Sequence, residues 1–253
     1  ARRGGIHQGV GQLGRIGEFT WLSVLALAAA GVIHFVVGRS LNYTTVSLLG
    51  APKASVLANA SPLMSVGMAV VLFQEELTLA IGVGAFLMVA GPILISQQHA
   101  GGAGRRLGSP ELRKGMISGL AAALCYGISP LLIKFALRQA SLPLAGSLIS
   151  YVAAFAFLGS SLFHPAVRRE LVHSNRSGLM WYAAAGMAVN TAQLFRYVAL
   201  SLAPVSIVAP LLQVSTLFTL LLSYGMNRRQ EVFDRFTVLG CFVVVIGAVI
   251  LTR

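Results

Sequence analysis

Uncharged apolar stretches of helix-spanning length follow one another along the chain. They are 20–38, 54–73, 77–96, 115–133, 142–163, 177–195, 204–226 and 236–252. A hydrocarbon core of about 30 Å takes about 20 helical residues. None of the stretches alternates with the period of a strand. In lipid only helices and closed barrels satisfy their own backbone polar groups. The pattern therefore predicts an all-α fold, a polytopic transmembrane helix bundle with about eight spans.

Local chemistry marks the boundaries. The sixth and seventh stretches are nearly continuous, interrupted only by Arg196 and the Leu202-Ala203-Pro204 step. Proline lacks a donor N–H and suits the first turn of a helix, so a new helix is predicted at Pro204. Pro62, Pro92, Pro130 and Pro210 fall inside spans, where neighbouring helices can satisfy the freed carbonyls. Gly115 and Gly119, and likewise Gly84 and Gly91, offer close helix contact.

Composition agrees with the pattern. Apolar residues are 56% and charged residues 10%, with mean hydropathy +0.79, too few charges to solvate a globular surface. The net charge of +12 would suit nucleic acid if it formed a patch. Instead the basic residues lie between the apolar runs, as at Arg105, Arg106, Arg113, Lys114, Arg168, Arg169 and Arg176. Such residues anchor helices against anionic head groups. The partner predicted is the lipid bilayer, not nucleic acid. Cys125 and Cys241 sit inside apolar runs with no metal or disulfide spacing, so neither a metal nor a cofactor is predicted.

The chain also repeats itself. Laying Gln74-Glu75 on Gln230-Glu231 also lays Gly84 on Gly240, Phe86 on Phe242, Val89 on Val245 and Gly91 on Gly247. Upstream, Gly50-Ala51-Pro52 resembles Val208-Ala209-Pro210 with a small drift in register. Internal repeats mark secondary transporters, whose substrate sites lie at the repeat interface.

The segment Leu41-Asn42-Tyr43, Gly50-Ala51, Ser61-Pro62, Gln74-Glu75, Gly84, Gly91 resembles the EamA-type repeat of the drug/metabolite transporter superfamily. So does Tyr197-Val198-Ala199-Leu200, Pro204-Val205-Ser206, Glu231, Gly240, Gly247. Residues 119–134, with Tyr126-Gly127 and Ser129-Pro130, look like that repeat's first helix. The resemblance implies two inverted five-helix repeats. It divides the chain into a first repeat over 1–99, a linker over 100–114 and a second repeat over 115–253. Three spans precede the linker and five follow it. The expectation is that two N-terminal helices are missing, which the lack of an initial Met supports; a natural eight-helix variant is the alternative. The resemblance further implies a multi-pass cell-membrane protein with both termini cytoplasmic. The distribution of Lys and Arg favours the opposite orientation.

Polar residues inside spans are the candidate site, because a polar group in lipid is costly unless it faces a cavity or another helix. They are His34 in the first stretch, Asn59 in the second, Asn190 and Gln193 in the sixth, and Gln213 in the seventh. Tyr126, Tyr151 and Tyr197 could offer hydroxyls or ring faces to a solute. The resemblance puts these helices around a central cavity, so His34, Asn59, Tyr126, Asn190, Gln193 and Gln213 are expected to bind a small-molecule substrate. The bland alternative is hydrogen bonding between helices. Arg39, Lys134 and Arg196 near span ends are expected to snorkel to head groups. Glu75 and Glu231 are expected to order interhelical turns.

None of the acids Glu18, Glu75, Glu76, Glu111, Glu170, Glu231 and Asp234 lies mid-span. Proton-coupled export of cations usually needs an embedded carboxylate. Hence a neutral, zwitterionic or anionic metabolite, such as an amino acid, is expected over a cationic drug. Alternating access, with export likelier than import by family analogy, is the mechanism expected. No Gly-rich phosphate loop supports ATP-driven transport. Two other classes are weaker. A lipid-acting enzyme would draw on His99, His164, Glu170 and His173, which carry no nucleophile or metal motif; a non-transporting scaffold would leave the repeat unexplained.

Overall fold

The computed structural model describes residues 12, 14–97, 109–160, 163, 176–226 and 235–251. Glu170, Glu231, Asp234, His99, His164, His173, Arg105, Arg106, Arg168 and Arg169 lie outside them, as does most of the 100–114 linker. Among the described residues every element is helical. α1 is the run Trp21–Leu49, whose middle, Val32–Gly38, is a π-helix. There follow α2 (Ala51–Ala58), α3 (Ser61–Phe73), α4 (Leu79–Gln97), α5 (Ser109–Gln139), α6 (Pro143–Ser160) and α7 (Arg176–Leu202). The last are α8 (Val205–Leu211), a 3-10 turn at Leu212–Val214, α9 (Ser215–Met226) and α10 (Arg235–Leu251).

Among the described residues four runs are long and apolar enough to cross a membrane: Trp21–Leu49, Lys53–Phe73, Pro110–Gln139 and Pro143–Ser160. Leu79–Leu94, Val205–Phe218 and Val238–Leu251 are shorter apolar helices. The burial pattern inverts that of a water-soluble bundle. Trp21, Val71 and Phe155 are largely exposed, whereas Ser23, Thr45 and Ser150 are fully buried. Small and hydroxyl-bearing residues let helix backbones approach, and large apolar ones face out, which is the arrangement lipid favours. The break predicted at Pro204 is present: α7 ends at Leu202 and Pro204 is the extended N-cap of α8.

The chain packs as two compact units, each built from two separate stretches. The first comprises Ala1–Val36 with Leu132–Ala203. Thr20 caps α1 by accepting from the N–H of Ser23, and its hydroxyl donates to Gln139 Oε1 at 2.6 Å. Just before α1, Arg15 forks onto Glu18, and this hydrogen bond holds the Glu18 carboxyl below the usual carboxylate range. α1 meets α6 so closely that a Cβ on Gly31 would run into the backbone of Ser150. The Ser150 hydroxyl donates to Leu27 O at 2.6 Å. Leu27, Leu137, Ala145, Tyr197 and Leu200 fill this unit's core.

The second unit comprises Val37–Leu131 with Pro204–Arg253. Met88, Val244 and Leu251 form a buried cluster, flanked by Ile81, Leu211, Val214, Leu217 and Ala248. α4 and α10, the two helices that the internal repeat equates, lie side by side along their glycines. Ser65 of α3 donates to Gly127 O of α5 at 2.9 Å, which ties those helices where Gly127 leaves room.

Candidate functional site

Three sequence candidates sit where helix geometry is irregular. His34 lies in the π segment of α1. Asn59 is the C-cap of α2, at the two-residue turn before α3. Pro62 stands in the first turn of α3, and its ring cannot continue the helix from α2, so the span bends there. Gln213 lies in the 3-10 turn that follows Pro210. A π segment, a capped break and a 3-10 turn each leave the regular i to i−4 ladder, and such departures gather at functional sites.

The first unit brings His34 and Gln193 together. Gln193 Nε2 lies 3.2 Å from His34 Nε2. Arg196 Nη1 donates to Gln193 Oε1 at 3.1 Å and lies 3.3 Å from the same ring nitrogen of His34. The guanidinium can only donate, so it fixes the amide: Gln193 Oε1 accepts from Arg196 and Gln193 Nε2 donates to the ring. His34 Nε2 is then the acceptor and the ring proton is on Nδ1, an assignment made from the network. Asn190, Gln193 and Arg196 are spaced three residues apart, so they share one face of α7. Asn190 is exposed and takes part through its backbone, whose carbonyl accepts from the Tyr151 hydroxyl at 3.0 Å. The Tyr151 ring also packs against Phe35, beside His34, tilted by 40° with ring centroids 5.3 Å apart.

Arg196 corrects an expectation. It does not snorkel: it is 7% exposed, and its charge is held among His34, Gln193, Tyr151 and Tyr197. Sequence reasoning treated Arg196 as an interruption between spans. The signal that could have found it is its spacing from Gln193 on an unbroken α7. Lys134 departs from the same expectation. Its ammonium donates to Leu200 O and Ala203 O, 2.8 Å each, at the C-terminal end of α7. There a cation satisfies carbonyls that have no helical partner.

The second unit brings Asn59 and Gln213 together. Gln213 Nε2 donates to Asn59 Oδ1 at 3.0 Å, and both residues are half-buried. Tyr126 stands half-buried on α5, in electrostatic reach of Arg39 and Tyr43. Glu75 takes the ordering role expected of it, at long range. Its two carboxylate oxygens accept from Val205 N (3.0 Å) and Ser206 N (2.9 Å), the unpaired donors that open α8. Among the described residues no group of three His, Cys, Asp or Glu could hold a metal ion.

The family description "EamA-like transporter family" matches residues 9–97 and 113–253, the two halves that the internal repeat marks out. No curated protein matches the chain. A crystal structure, described only as that of a protein, superposes with a TM-score of 0.66 at 18% identity, over 91% of this chain and 87% of that one; this is a likeness of fold alone. The chain belongs to the EamA-like transporter family and is a multi-pass helical membrane transporter of the drug/metabolite transporter superfamily.

Proposed function

We propose that the protein is a secondary transporter of small metabolites, amino acids or related neutral, zwitterionic or anionic solutes, working by alternating access in the cell membrane. Export is the direction that the family analogy favours. The protein's role is transport and not catalysis. The candidate solute-contacting residues are His34, Asn190 and Gln193 within the first unit and, taken by themselves, Asn59, Tyr126 and Gln213 within the second. One observation carries this reading: the hydrogen-bonded pair Asn59–Gln213 joins two spans at the point where each leaves regular helix geometry. Interrupted spans expose unpaired backbone groups, and transporters use such points to hold solutes. Amides there can exchange their mutual bond for bonds to a solute, at a coupling cost that in membranes averages only about 0.6 kcal/mol.

The test is uptake by proteoliposomes holding the full chain, over labelled amino acids, organic anions and organic cations, with and without a pH gradient. The expected result is saturable flux of one solute class, lost in an Asn59→Ala/Gln213→Ala variant whose melting transition remains intact. Flux of organic cations alone, or flux unchanged in that variant, would sink the assignment.

A further inference from the structure

Arg196 is a cation enclosed in the first unit, on a helix of a chain whose acidic residues all lie outside the apolar stretches. The side chains that its Nη1 meets are His34 and Gln193, and neither is an anion. Burying a guanidinium without a counter-charge costs several kcal/mol even after relaxation. It cannot shed its proton to escape that cost. Packing alone gives no reason for such a residue, because an apolar side chain of similar volume fills the same space without the penalty. In membrane proteins an embedded ion of this kind marks a solute path.

The hydrogen bonds of Arg196 are one-sided. Among the described residues they run through Nη1, to Gln193 Oε1 and to Nε2 of His34. The buried Nε has no partner among the described residues. So His34 and Gln193 hold one corner of the guanidinium and fix its plane, while the Nε edge is left unsatisfied. That edge carries parallel N–H donors with the spacing of the two oxygens of a carboxylate. An unpaired buried donor is itself unfavourable by about 1–3 kcal/mol. A carboxylate would satisfy both the orphaned donor and a charge that no described carboxylate balances.

We propose that Arg196 is the anchor for the carboxylate of the transported solute, gripping it through the Nε edge, with His34 and Gln193 as positioning residues that aim the guanidinium. This rests on the transporter reading above and narrows its substrate class to small organic carboxylates, amino acids included. Tyr151, whose hydroxyl donates to Asn190 O on the same helix as Arg196 and whose ring packs against Phe35, would supply aromatic surface for the solute's apolar part.

The experiment measures the thermal melting of the purified full chain in detergent with leucine, glutamate, succinate and benzoate, each beside its uncharged amide. The expected result is a saturable upward shift for at least one carboxylate and none for its amide. Arg196→Gln should weaken that binding at least about tenfold, the scale of a lost charge-assisted bond. Arg196→Lys, which keeps the charge but not the fork, should fall between. Should Arg196→Gln fail to fold, Gln193→Glu serves instead. It places an internal carboxylate at Nη1, which should keep or raise the melting point while removing carboxylate binding. Equal shifts with acid and amide, undiminished binding in Arg196→Gln or Gln193→Glu, or no carboxylate shift from folded protein would overturn the proposal. Proteoliposome flux separates it from the broader reading. Flux of uncharged solutes alone removes the carboxylate anchor and keeps the transporter. Arg196-dependent carboxylate binding without flux keeps the anchor and removes the transporter.

Discussion

Gly84 and Gly247 face each other backbone to backbone. A Cβ on Gly84 would lie 3.1 Å from Gly247 O, and one on Gly247 would lie 3.0 Å from Gly84 O. Seven residues along, a Cβ on Gly91 would lie 2.7 Å from Gly240 O. The repeat equates Gly84 with Gly240 and Gly91 with Gly247, so exchanging the two halves turns one contact into the other. The antiparallel pair α4 and α10 thus has local two-fold character. Gly91→Ala should destabilise the protein by about 1–3 kcal/mol, because a Cβ would meet the stiff Val244 side chain and, just beyond it, the backbone carbonyl of Gly240. Gly82→Ala on the same helix meets nothing within 4 Å and should leave stability unchanged or slightly raised. Melting midpoints of the two variants, measured side by side, check this; equal losses would mean that the glycine face is not the contact.

Glu75 joins the start of α8 to the segment between α3 and α4. Glu75→Ala removes two charge-assisted bonds and leaves Val205 N and Ser206 N without that acceptor. A loss of about 1.5–3 kcal/mol is expected. Glu75→Gln keeps one acceptor oxygen and should lose roughly half as much. Hydrogen exchange should localise the change to the amides of Val205 and Ser206. A fall in melting point without faster exchange there would assign the effect elsewhere.

Much of this fold was legible in the sequence because lipid imposes a simple rule: long apolar runs become helices. The break at Pro204 was legible because proline cannot continue a helix. Pro62 and Pro210 stood inside their spans, and each span leaves regular helix beside its proline. The two breaks differ, a turn at Asn59-Ala60 against a 3-10 turn at Leu212–Val214. What remained hidden were partnerships across helices. The hydrogen bonds His34–Gln193 and Asn59–Gln213 join residues that polarity had already singled out, but their pairing depends on which helix faces meet. Arg196 was misread because a basic residue after an apolar run signals an interface; only the unbroken course of α7 turns it inward. Glu75 was recognised as ordering a turn, but its target lies 130 residues on, at Val205.

Lys134 offers a test of that same distinction between anchoring and internal bonding. If it only met head groups, Lys134→Met would change little. Its bonds to Leu200 O and Ala203 O mean that the substitution removes the cation from two carbonyls at the end of α7. A loss of about 1–3 kcal/mol is expected, with faster amide exchange at Ala203, whose N–H bonds to Ala199 O. Lys134→Arg keeps the charge and should retain part of the stability. An unchanged melting point for Lys134→Met would return the residue to the interface.

The Asn59–Gln213 pair separates stability from function most cleanly. As a purely structural bond, its coupling in a double-mutant cycle should account for the whole effect of either substitution, about 0.6 kcal/mol and at most about 1.7 kcal/mol. As a solute site, each single alanine variant should lose flux by far more than stability predicts. Both amides bond the solute after releasing each other, so removing either leaves a polar group of the solute unpaired, at about 1–3 kcal/mol. That is roughly five- to more than a hundredfold in transport efficiency. The matched variants Asn59→Asp and Gln213→Glu sharpen the comparison. Each keeps an acceptor but adds a negative charge, and each should repel a carboxylate while sparing uncharged solutes. Flux that falls in proportion to the measured stability loss, and equally for acids and amides, would leave the pair as a structural bond alone.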